Sequence, residues 1–126
     1  MKRFWIGLVL LLGLLAAGLW AMVAMDSVHS SISDDLRQSA QAAQSDHWDQ
    51  ADTLAVSATS NWEENWRFSA AMADHTALDE IDALFAQAEV YRQNREPIAY
   101  ASTCARLAQL IEALKEGHSL SWWNLL

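Results

Sequence analysis

Between Arg3 and Asp26 the chain carries no charged residue, and this run constrains everything that follows it. Phe4 to Met25 makes 22 residues. As a helix, such a segment extends roughly 33 Å, which matches the roughly 30 Å hydrocarbon core of a bilayer. Lys2 and Arg3 precede the run, and the next basic residue is Arg37. Because positive charge is retained on the cytoplasmic side, the asymmetry predicts a cytoplasmic N-terminus and an extracytoplasmic remainder. Trp5 and Trp20 fall where indoles favour the two membrane interfaces. A cleaved signal peptide is the alternative. Signal h-regions are about 7–15 residues long and end in an A-x-A-like site. Cuts after Gly18, with Ala16 at −3, or after Ala24, with Met22 at −3, fit that pattern poorly. The expectation is an uncleaved single-pass anchor over residues 1–25. Gly13, Ala17 and Ala21 recur every fourth residue, a small-xxx-small spacing that lets a second membrane helix approach closely.

The rest of the chain is strongly acidic. Net charge is −8, and setting aside Lys2 and Arg3 leaves 6 basic residues against 16 acidic ones. A field of that sign repels nucleic acid, so no nucleic-acid partner is expected. About 100 residues make one domain with a modest core. A single cysteine, Cys104, excludes an internal disulfide. It falls on an apolar stripe, so a buried thiol is expected.

Helix signals dominate after residue 26, and strand signals are absent. Val28, Ile32, Leu36, Ala40 and Ala43 repeat at three to four residues, marking one face of a helix that continues the span. Ser45-Asp46 offers an N-cap. It leads into a second stripe of Trp48, Ala51, Ala55, Ala58, Trp62 and Trp66. Thr76 with Asp79 resembles a capping box ahead of Leu78, Ile81, Phe85, Ala88 and Tyr91. Pro97 suits the first turn of a helix carrying Tyr100, Cys104, Leu107, Ile111 and Leu114, and Gly117 fits its C-cap. The predicted fold is all-α: an N-terminal transmembrane helix continuing into an up-and-down antiparallel bundle of about four helices. The bundle covers residues 26–118, and an apolar Trp-rich tail covers 119–126. Distal turns are expected near 44–47 and 93–97, with the turn around 74–78 and the tail beside the membrane.

The Trp48-x-x-Ala51 opening is followed fourteen residues on by Trp62, then by His75-x-x-Leu78-Asp79 and a terminal Ser-Leu-x-x-x-Asn-Leu-Leu. In order and spacing these resemble the bacterial domain-of-unknown-function family 4363, over nearly the whole chain. The resemblance implies a small helical protein anchored in a bacterial cytoplasmic membrane. It brings no activity, cofactor or catalytic residue. One departure is an added residue in the tail, at Trp122-Trp123-Asn124.

Few residues suggest chemistry. His75, Asp79 and Asp82 stand at helical spacing, and a His with two carboxylates can hold a divalent metal and activate water. A metal-binding sensor or metal-dependent hydrolase built on them is the alternative function. Against it, no His-x-x-x-His or Glu-x-x-His motif occurs, and a helix starting at Thr76 would break the shared face. There is no Gly-x-Ser-x-Gly elbow, phosphate loop, EF-hand spacing or Cys-x-x-Cys. The expected reading is a non-catalytic accessory or protein-binding subunit, with no cofactor and no dedicated metal site. Its candidate contact residues are Gly13, Ala17, Ala21, Trp66, Trp122 and Trp123. The Trp residues qualify because indoles often anchor interfaces, and the tail because indoles favour the bilayer surface.

Overall fold

The computed structural model describes residues 1–72 and 74–123, with side chains described for 1–71 and 74–117. Four helices account for nearly all of it: α1 Lys2–Gln44, α2 Trp48–Met72, α3 His75–Gln93 and α4 Pro97–Trp123. No strand occurs among the described residues.

Cross-helix pairs fix the direction of each neighbour. Ser57 Oγ donates to Asp35 Oδ2 at 3.0 Å, and Ser39 Oγ to the Ala51 carbonyl at 2.7 Å, so α2 descends as α1 rises. Arg92 meets Asp52 while Trp62 meets Asp82, so α3 rises against α2. Ser39 meets Tyr100, Ser33 meets Ala108 and Ser30 meets Lys115, so α4 descends beside α1. The bundle is therefore up-down-up-down. α1 and α4 form its central pair, α2 lies along α1 and α3 along α4, while α2 and α3 touch over a much shorter stretch.

The apolar stripes meet where their spacing predicts. Ile32, Leu36, Ala40 and Ala43 of α1 pack with Ala51, Ala58 and Trp62 of α2, Leu78, Ile81 and Ala88 of α3, and Tyr100, Cys104, Leu107 and Ile111 of α4. Each fully buried Leu or Ile contributes about 1.5–3 kcal/mol. The alanines on α1 and α2 keep that pair close, and the bulky Trp48, Trp62 and Trp66 space the rest. Three polar residues of α1, His29, Ser33 and Ser39, are also buried. Because α1 packs on both α2 and α4, its buried face is wider than one stripe.

The two distal turns share one geometry. The His47 N–H reaches the Ala42 carbonyl at 2.8 Å and the Asp46 N–H reaches Ala43 at 3.1 Å; Glu96 reaches Tyr91 at 3.0 Å and Arg95 reaches Arg92 at 3.1 Å. Both are Schellman ends, in which the C′ residue takes the left-handed region. That residue is Asp46 (φ 61°) in one turn and Arg95 (φ 55°) in the other.

Four local expectations are corrected. Ser45-Asp46 closes α1 instead of capping α2, whose first residue is Trp48. The cap of α3 is Asp74, whose carboxylate accepts from the Thr76 N–H at 3.1 Å, in place of a Thr76–Asp79 box. Gly117 does not end α4: no glycine has positive φ, and the helix runs on to Trp123. The supposed tail is thus helical over 119–123, while 124–126 lie outside the described residues.

Ahead of the bundle, α1 stands alone. Every residue from Phe4 to Trp20 is exposed, and burial begins at Ala21. This is a helix long and apolar enough to cross a membrane, with a mean hydropathy of 2.5 in its most apolar window and none of that window buried.

Candidate functional site

The free part of α1 is the largest surface that the fold leaves uncovered. Gly13 and Ala17 are exposed along it and Ala21 is half-buried where the bundle starts. A methyl group built at Gly13 would meet nothing within 4 Å, so no part of this chain uses the close approach that glycine permits. Small residues at this spacing allow helix backbones to touch, with dispersion and Cα–H contacts providing the attraction.

The sequence-predicted aromatic pair has a different setting. Trp62 is buried and stacks on Phe85 with ring centroids 6.0 Å apart. Its Nε1–H donates to Asp82 Oδ1 at 2.7 Å, and the Trp66 Nε1–H donates to Oδ2 of the same carboxylate at 3.0 Å. Both lone-pair faces of Asp82 are thereby committed to indoles on α2. This charge-assisted fork ties α3 to α2. Trp66 remains half-buried at the edge of the core.

His75 lies inside α3, so His75, Asp79 and Asp82 do share a helix at spacings of four and three. The structure nonetheless gives them separate tasks. His75 and Asp79 are exposed, and Asp82 is held by the two indoles. Among the described residues no group of three or more His, Cys, Asp or Glu side chains is placed to hold a metal ion. The backbone at Trp122 and Trp123 belongs to α4, but their side chains lie outside the described residues.

Two polar centres were not foreseen. At the distal end Asp52 of α2 accepts from Arg92 Nη1 at 2.6 Å and from Arg95 Nη1 and Nη2 at 2.9 and 3.1 Å. The Arg95 guanidinium also lies 5.0 Å over the Trp48 ring. Hydrogen bonds from Arg95, more than those from Arg92, hold the Asp52 carboxyl below its ordinary range against the opposing effect of burial. The signal was the placement of Asp52, Arg92 and Arg95 beside two turns already predicted to be neighbours.

Inside the bundle, the Ser39 hydroxyl sits 2.6 Å from the Tyr100 hydroxyl. Ser39 has one proton and gives it to the Ala51 carbonyl, so Tyr100 is the donor to Ser39. Burial raises the Tyr100 pKa strongly, keeping the phenol protonated for this task. Cys104, one turn further along α4, is fully buried, and burial pushes its thiol up to about 11. A protonated thiol is a poor nucleophile.

One open groove runs between α3 and α4, lined by Glu80, Leu84, Gln87, Tyr91, Thr103 and Arg106 among others. The Arg106–Glu80 ion pair, 2.6 Å, closes one end.

Neither curated proteins nor solved structures yield a match to this chain. Residues 19–125 match the family described as Domain of unknown function (DUF4363). The match takes in the last two turns of the apolar run and all four helices of the bundle, and the chain belongs to this family.

Proposed function

We propose that this protein is a single-pass, membrane-anchored, non-catalytic helical module that serves as an accessory, protein-binding subunit. It resides in a bacterial cytoplasmic membrane with its bundle on the extracytoplasmic face. The observation that carries the reading is the bare stretch of α1 from Phe4 to Trp20. Exposing so much apolar surface to water is costly, at about 25 cal/mol for each Å², and lipid removes that cost. Orientation follows from Lys2 and Arg3 ahead of the run and an acidic domain behind it. Several polar side chains within the bundle hold helices together, as at Ser39–Tyr100 and Asp82. This favours a structural or adaptor role over catalysis. The Gly13–Ala17–Ala21 face is the expected contact for a partner's membrane helix.

Three experiments test this. Alkaline extraction should leave the full-length chain in the membrane pellet, and an Ile98→Cys variant should react with impermeant maleimide on spheroplasts. Ile98 is the right reporter because it is 82% exposed at the distal end. A soluble chain lacking its first segment, or an unreactive Ile98→Cys, would overturn the anchor or its orientation. A photo-cross-linker at Gly13 in native membranes should give one discrete adduct that disappears on Ala17→Leu. A full-length protein giving no adduct would reduce the reading to a solitary anchored bundle.

A further inference from the structure

We propose that the end of the bundle bearing Arg67 and Phe68 is a lipid-docking face, seated in the headgroup layer of the membrane that α1 crosses. The inference rests on the anchor reading above and adds a surface to it. Three measurements of level converge. Phe4 is the first uncharged residue after Arg3. From Phe4, about 20 residues of helix are needed to cross roughly 30 Å of hydrocarbon. That puts the far boundary at about Ala24, and any tilt of the helix moves it further along the chain. Yet the bundle already covers α1 from Ala21.

The descending helices reach the same level. Ser57 faces Asp35. Eleven residues further down α2, Phe68 therefore lies opposite about Ala24 of α1, at 1.5 Å per residue in both helices. On α4, Ala108 lies opposite Ser33 and Lys115 reaches Ser30. Its last residue, Trp123, therefore comes level with about Gly18 to Met22. The free length of α1 is too short to hold the bundle clear of the membrane, so this end must enter the interfacial layer.

What the chain places there suits that layer. Among the described residues, the large apolar side chains exposed outside the α1 run are Val56, Phe68, Val90 and Ile98. Cross-helix pairing puts Val56 and Val90 in the distal half of the bundle and Ile98 at the distal turn. Phe68 is the one at the membrane level, and it is 45% exposed. Beside it, Arg67 is exposed and makes no ion pair among the described residues, whereas Arg37, Arg92, Arg95 and Arg106 all do. A phenyl ring at the acyl boundary with a guanidinium free to meet phosphate is the pairing an interfacial helix uses.

The test uses the full-length protein in vesicles of phosphatidylcholine and phosphatidylglycerol, some carrying a nitroxide on the acyl chain near the headgroup. Single cysteines at Leu12, Phe68 and Ile98 carry a small fluorophore; native Cys104 is buried and unreactive. Nitroxide lipid should quench position 68 to within about twofold of position 12, and leave position 98 bright. Should Phe68→Cys disturb the fold, Ala71→Cys, also exposed and one turn on, replaces it. Quenching at 12 but neither at 68 nor at 71 would overturn the docking face and keep the anchor. No quenching at 12 would remove both.

Discussion

At the scale of single residues, the hydroxyl of Ser39 is the most consequential polar group in the core. It lies where α1, α2 and α4 come closest, giving its proton to Ala51 and accepting one from Tyr100. Removing a partner from a buried bond costs more than the bond contributes, because the survivor is left dry and unpaired. Ser39→Ala strands the Tyr100 hydroxyl and should destabilise the bundle by about 1–3 kcal/mol; Tyr100→Phe should cost about 1 kcal/mol. The double variant should lose clearly less than the sum, since the second change removes the stranded group. Denaturation of the four proteins in one detergent measures this. Strict additivity would show that the two hydroxyls do not share a proton in the folded chain. Nothing in the sequence singled out Ser39. A serine three residues beyond Leu36 reads as the edge of the apolar stripe, and only packing of α1 against two helices at once makes that edge interior.

At the scale of elements, the four helices and their buried faces were legible because their apolar positions keep a spacing of three to four residues throughout. The ends were less legible. Helix stops are read chiefly from glycine, yet the two Schellman ends use Asp46 and Arg95, while Gly117 continues a helix. A non-glycine residue in the left-handed region costs roughly 1–2 kcal/mol, which short polar side chains such as Asp partly offset. Asp46→Gly should therefore raise stability by about 0.5–1 kcal/mol, seen as a higher denaturation midpoint. Arg95→Gly should give no such gain, because it deletes the contacts to Asp52 and Trp48. Equal gains at both sites would mean that the Arg95 contacts contribute nothing. The candidate site was legible only in part. The triad spacing of His75, Asp79 and Asp82 was correct, but nothing in that spacing discloses that two indoles from another helix occupy Asp82.

At the scale of the whole molecule, two ends with different chemistry bound the bundle. The distal end is sealed by ions: Asp52 joins α2 to α3 and to the turn between α3 and α4 through Arg92 and Arg95. Its depressed pKa sets the sign of a pH effect. The stabilisation is complete above the ordinary carboxylate value of 3.8 and is lost as pH falls through the lower folded value. Partial exposure limits it to about 1 kcal/mol. Asp52→Asn should lower the midpoint at pH 7 and flatten the loss of stability between neutral and acidic solution. A variant with an unchanged acid profile would assign that loss to other carboxylates, beginning with Glu112, which Arg37 also holds down. The opposite end exposes Phe68 and Arg67.

The continuity of α1 has a mechanical corollary. Lys2 to Gln44 is one rod of 43 residues, roughly 65 Å long. No break in the helix separates the apolar run from the part that enters the bundle. The azimuth of Gly13 therefore determines which flank of the headpiece faces a neighbour. Inserting one residue between Met25 and Val28 would turn the two portions by about 100° relative to each other. On the proposed reading, a partner helix gripping the Gly13 face would thus aim the bundle, and torque at either place would be felt at the other.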